Sequence, residues 1–128
     1  MKIAALIARI LLGLLFLIFG SNGFLGFIKP SANQLPTGLA GDFNHVMMTS
    51  HYMHVVSGVM VISAVLFLVG RFVPLALVLI GPVLVNILLF HMLLLPQGIQ
   101  VGLFATLCWF VVFFYHRAAF AGIFQAQA

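Results

Sequence analysis

Four stretches of this chain, 3–20, 52–69, 72–95 and 99–120, are apolar almost throughout and nearly free of charge. A helix needs about 20 apolar residues, within a range of about 17 to 25, to cross the hydrocarbon core of a bilayer. Each stretch meets that length. Their composition leaves no soluble alternative. The 128 residues are 65% hydrophobic and hold five Lys or Arg and one acid, Asp42. A small soluble domain has too much surface to hide that much hydrocarbon. In lipid every backbone polar group must be paired internally, so spanning segments are helices and not open strands. The expectation is an all-α chain, an integral membrane four-helix bundle forming a single domain over 1–128.

The connections support that order. Residues 70–72 ("GRF") and 96–98 ("PQG") are short enough to force their neighbours antiparallel. The segment 21–50 is longer and carries Pro30 and Pro36. Gly20, Gly23 and Gly26 recur among Phe24, Leu25 and Phe27, which is too apolar for a free linker. A re-entrant or interfacial piece lying against the bundle is expected there. The first twenty residues resemble a signal peptide in hydropathy, but the run is long, Arg9 interrupts it and no small-residue cleavage site follows. The reading is an uncleaved first span.

Basic residues orient such a chain. With the N-terminus inside, Lys2, Arg9, Arg71 and Arg117 fall at the inner side, against Lys29 outside. Both termini are therefore expected to be cytoplasmic, with 21–50 as the outer loop. The few scattered charges speak for membrane orientation and against nucleic acid. Arg9, one to two turns into the first span, is read as snorkelling to the inner headgroups in preference to a contact with another helix. Arg9, Arg71 and Arg117 are thus inner-side anchors or structural residues. Cys108 excludes an intramolecular disulfide and reads as a small buried hydrophobe.

This orientation gathers the polar side chains. His45, His51, His54, His91, Asn22, Asn86, Gln97 and Gln100 all fall in the outer half, and His116 alone lies at the inner end. If the second helix starts by Val46, then Met47, His51 and His54 occupy i, i+4 and i+7 of one face, with Gly58 admitting a flat ring or a neighbouring helix. Imidazoles with a thioether suit copper, and imidazoles alone suit haem iron or zinc. Met47, His51, His54 and His91 are the candidate metal ligands. Against this stands the plainer reading that interfacial histidines hydrogen-bond to headgroups and that the methionines face lipid. Asn86 and His91 sit well inside the third span, where polar groups face the bundle interior or a cavity. They are about 140° apart around the helix, so they would flank one pocket. The competing role is hydrogen bonding between helices.

The segments "ARILLGLLFLIFGSNGF", "GRFVPLALVLIGPVLVNILLFH" and "YHRAAF" resemble the DoxX-like family of small four-helix membrane proteins. The third-span segment, with Gly-Pro, Asn86 and His91 in order, carries most of that resemblance. It implies a redox-associated membrane subunit near the quinone pool, or an assembly factor, in a bacterial inner membrane. The matching polar positions are Arg9, Asn22, Asn86 and His91. Members of the family tend to carry a glutamate early in the second span, where this chain has "HVVSGVMVISAVLFLVG" and no acid. His54 stands in that neighbourhood.

Three functional expectations result. The first is an accessory subunit of an oxidoreductase that binds a quinone-like or other amphiphilic ligand in an outer-half pocket formed by Asn22, His54, Asn86 and His91. The second is a non-catalytic scaffold or assembly subunit that packs against a larger membrane partner or a second copy. The third is copper or haem held by the outer histidines.

Overall fold

The computed structural model describes residues 1–27 and 37–126. Five α-helices follow in order: α1 (Lys2–Leu25), α2 (Gly38–Thr49), α3 (Tyr52–Val69), α4 (Val73–Leu93) and α5 (Ile99–Tyr115), then a 3₁₀ helix (Arg117–Phe124). There is no strand among the described residues. Helices α1, α3 and α4 are each long and apolar enough to cross a membrane, and α5 with the 3₁₀ helix makes a fourth such element if the two count as one broken span. The chain is all-helical and has the helices of a membrane protein.

Helix α1 packs against α3 and α5, and α4 against the same two, so the four long helices close into a cycle α1–α3–α4–α5. Helix α2 packs on α3. All four long helices are apolar on every side, so hydropathy cannot say which face turns inward. Residue size says more. The buried stripe of α1 is Ala5, Ala8, Leu12, Gly13, Phe16 and Gly20. That of α5 is Gly102, Ala105, Cys108 and Val112. Both recur every three or four residues, the spacing of one helix face. Lipid tails are as apolar as leucine, so helices associate in lipid through close packing, and small residues permit it. A methyl placed on Gly13 would meet Leu68 and Phe67, on Gly20 Met60 and Val61, and on Gly23 Ser57. As the position on α1 rises the partner on α3 falls, so the two helices are antiparallel.

Several boundaries differ from the expectation. Helix α1 runs five residues beyond Gly20 and ends only at Gly26, whose left-handed backbone (φ 63°) returns its N–H to Asn22 O at 2.8 Å. The expected span 99–120 does not exist as one straight helix. Helix α5 stops at Tyr115, and the 3₁₀ helix leaves it at 85°. Seventeen residues rise about 26 Å, the lower limit for a spanning helix. Helix α4 ends at Leu93, short of Leu95. The segment 21–50, expected as a loop, contributes the end of α1 and all of α2. Pro30 and Pro36 lie outside the described residues.

The second helix does not begin at Val46. The chain breaks between α2 and α3, where the Ser50 hydroxyl donates to Val46 O at 2.6 Å and His51 adopts a left-handed backbone (φ 63°). A serine hydroxyl that bonds back to the preceding turn competes with the helix ladder. Met47 therefore belongs to a different helix from His51 and His54, and the i, i+4, i+7 face dissolves.

Arg9 differs as well. Its Nη1 donates to Phe67 O at 2.9 Å, and its guanidinium lies against the left-handed Gly70 that ends α3. The last carbonyls of a helix have no partner within it. Arg9 supplies one from the neighbouring helix, so the contact with another helix prevails over snorkelling.

Candidate functional site

The convergence of polar residues depends on three local features. Gly20 and Gly23 bring α1 against α3 and place Asn22 at that junction. Helix α2, packed on α3, carries Asn44, His45, Met47 and Met48 over the same end. Gly98 (φ 93°) turns the chain from α4 into α5 beside the His91 ring, and a methyl there would stand 3.1 Å from His91 Cε1.

Two adjoining cavities of about 600 and 930 Å³ occupy this end. They share Asn22, Met48, Met53, Met60, Ile87 and His91. The smaller runs between α1, α4 and α5 and is walled by Leu15, Phe16, Phe19, Leu84, Val101 and Ala105. It is almost wholly apolar. The larger opens beneath α2 and adds Phe43, Asn44, His45, Tyr52, Asn86 and Phe90. A hydrocarbon chamber is thus joined to one with hydrogen-bonding walls, and His91 stands where they meet.

The state of His91 follows from its partner. Nδ1 lies 2.9 Å from Leu95 O. A carbonyl only accepts, so Nδ1 carries the proton, and in the neutral ring Nε2 is left as an acceptor. Asn86, exposed on α4, donates Nδ2–H to Pro82 O at 2.9 Å. That bond stays within its own helix and does not bridge two, and Asn86 lines the larger cavity. Pro82 has no N–H and so leaves the carbonyl one turn earlier without its helical donor. One residue before that carbonyl, Trp109 Nε1 donates to Leu77 O at 3.1 Å and ties α5 to α4.

Of the expected ligand-binding set, Asn22, Asn86 and His91 come together at the cavities. His54 does not line either one. It pairs with His51, Nδ1 to Nδ1 at 3.2 Å, and stacks on Phe24 with ring centroids 5.7 Å apart. The flat ring that approaches Gly58 is Phe24, 3.9 Å from a methyl placed there. The expected metal set is divided. Met47 and His91 line the larger cavity, whereas His51 and His54 pair off outside it. Among the described residues no three His, Cys, Asp or Glu side chains gather as ligands.

Other lining residues were not in the expected ligand-binding set. Met48, Met53 and Met60 line both cavities, and Met48, which the plainer reading placed against lipid with Met47 and Met53, is also 52% exposed. Met60 is 4% exposed. Their concentration within a short stretch of sequence was the available signal, since flexible thioethers shape adaptable apolar binding surfaces. Asn44, His45 and Tyr52 join the site only because α2 folds back over α3. The chain matches no family model, no curated protein and no solved structure.

Proposed function

We propose that this chain is a four-helix membrane protein of a bacterial inner membrane, with both termini cytoplasmic, that binds a quinone-like amphiphile at its outer end. The observation that carries this is the joined pair of cavities. One is almost wholly hydrocarbon, the other is also mostly apolar but carries more hydrogen-bonding groups, and Asn22, Asn86 and His91 line them. An isoprenoid or acyl tail fits the apolar chamber, and an oxygenated ring fits beside His91 and the two asparagines. His91 can exchange a proton with such a ring at Nε2 while Leu95 O holds Nδ1. The resemblance to DoxX-like proteins points to the same ligand class. The reading is an accessory subunit that serves a redox partner, which would supply the electron carrier.

The test is binding of a short-tailed ubiquinone analogue to the purified full chain in nanodiscs, measured by quenching of Trp109 fluorescence. His91→Ala and Asn86→Ala are each expected to weaken binding about tenfold, the effect of one lost hydrogen bond of about 1.4 kcal/mol. His54→Ala, outside the cavities, is expected to leave it unchanged. Equal effects of all three substitutions, or none, refute the proposed site.

A further inference from the structure

The opposite end of the molecule has its own chemistry. Lys2 lies in the first turn of α1, and Arg71 follows directly on the Gly70 against which Arg9 rests. Arg117 opens the 3₁₀ helix next to His116, whose imidazole feels the Arg9 charge. Four of the five basic residues of the chain, Lys2, Arg9, Arg71 and Arg117, therefore lie at one end of the bundle. The one acidic side chain, Asp42, is on α2 at the other end. No carboxylate among the described side chains balances these cations.

Arg9 is the informative member. Its guanidinium is half-buried between helices, yet only Nη1 is engaged, on Phe67 O. Five N–H donors make a planar fork that matches a phosphate. An unpaired cation near the hydrocarbon boundary is costly to hold there, so it draws in an anion. Arg71 and Arg117 are exposed on the same rim, and Arg117 spends one donor on Phe114 O at 3.1 Å. The 3₁₀ helix bends away at 85° with Phe120 packed inward on Phe113, ring centroids 4.9 Å apart. Its Ile123 and Phe124 are 68% and 74% exposed. A short segment with one face on the core and bare apolar side chains beside an arginine is built to lie in the headgroup layer.

We infer that Arg9, Arg71 and Arg117 form a binding site for the phosphate of an anionic phospholipid, with the 3₁₀ helix lying across its acyl chains. The site is separate from the cavities. It rests on the reading that the helices span a membrane, and it stands whether or not an amphiphile binds at the other end.

The experiment reconstitutes the full chain in vesicles of equal parts phosphatidylglycerol and phosphatidylcholine, extracts it in mild detergent and counts retained lipids by mass spectrometry. The expected result is phosphatidylglycerol enriched over its supplied ratio. Enrichment should fall about fivefold for each arginine removed, since each basic residue near an anionic surface adds a comparable increment. Arg71→Gln and Arg117→Gln, singly and together, are the main variants because both side chains are exposed. Arg9→Lys keeps the charge on the α3 terminus but loses the fork, and is expected to retain less lipid than the wild type while still folding. A wild-type protein without enrichment, or a double variant that enriches as strongly, overturns the site. Release of the retained lipid by millimolar inorganic phosphate identifies a free-phosphate site and overturns the lipid assignment.

Discussion

His116 shows how one side chain reports its surroundings. It lies just past the end of α5, outside the spanning helices. Burial pushes its imidazole below the ordinary histidine value of 6.5, and the Arg9 charge pushes it the same way. The folded protein thus binds this proton less well than the unfolded chain does. Stability from this group is full above the unfolded value and falls as the pH drops through and below it. Thermal unfolding in detergent is expected at lower temperature in mild acid than at neutral pH, and His116→Gln should flatten that slope. An unchanged slope in the variant would assign the acid sensitivity elsewhere. His51 and His54 are the contrast. In sequence they were candidate metal ligands set against a plainer interfacial reading, but the left-handed turn at His51 folds them onto each other and away from the cavities.

At the scale of elements, the α1–α3 contact organises the molecule. Gly23 lies so close to Ser57 that an added methyl would overlap its Oγ. Ser57 is completely buried, and its hydroxyl has no partner among the described residues. Gly23→Ala is expected to destabilise the protein by about 1 to 3 kcal/mol, as overpacking does. Ser57→Ala removes a desolvated, unpaired hydroxyl and should be neutral or stabilising by about 1 kcal/mol. The double variant should recover part of the Gly23→Ala loss, because the closest overlap is with the removed oxygen. Purely additive effects in denaturation midpoints would show that the two positions do not meet. The run of glycines was visible in the sequence, but it continues α1 to Leu25 instead of leaving the first span at Gly20 for a re-entrant or interfacial piece. Nothing in a glycine's spacing tells whether it ends a helix or admits a neighbour; Gly20 and Gly23 admit one, and Gly26 ends the helix. Boundaries set by backbone chemistry were more legible. Gly70 and Gly98 turn the chain where short connections were expected, and α3 spans the expected Tyr52–Val69.

At the scale of the whole molecule, charge is polarised along the helix axes among the described residues, with the arginines at one end and Asp42 at the other. That polarity leads to the proposed orientation. A reporter fused after Ala128 that is active only in the cytoplasm is expected to be active, and an activity seen only from a periplasmic reporter would invert the topology. The sequence by itself determined the solvent, the helical class and the end toward which each polar residue moves. Those follow from length, hydropathy and alternation of direction, which are properties of single segments. The tertiary structure decided which face of each helix is inward, because four helices apolar all round differ only in the size of their side chains. It decided that α2 returns over α3, which makes Asn44, His45 and Tyr52 neighbours of Asn86 and His91 and leaves His51 and His54 outside. It also decided the role of Arg9, since the orphaned carbonyl at the end of α3 comes within reach of its guanidinium only once that helix lies beside α1.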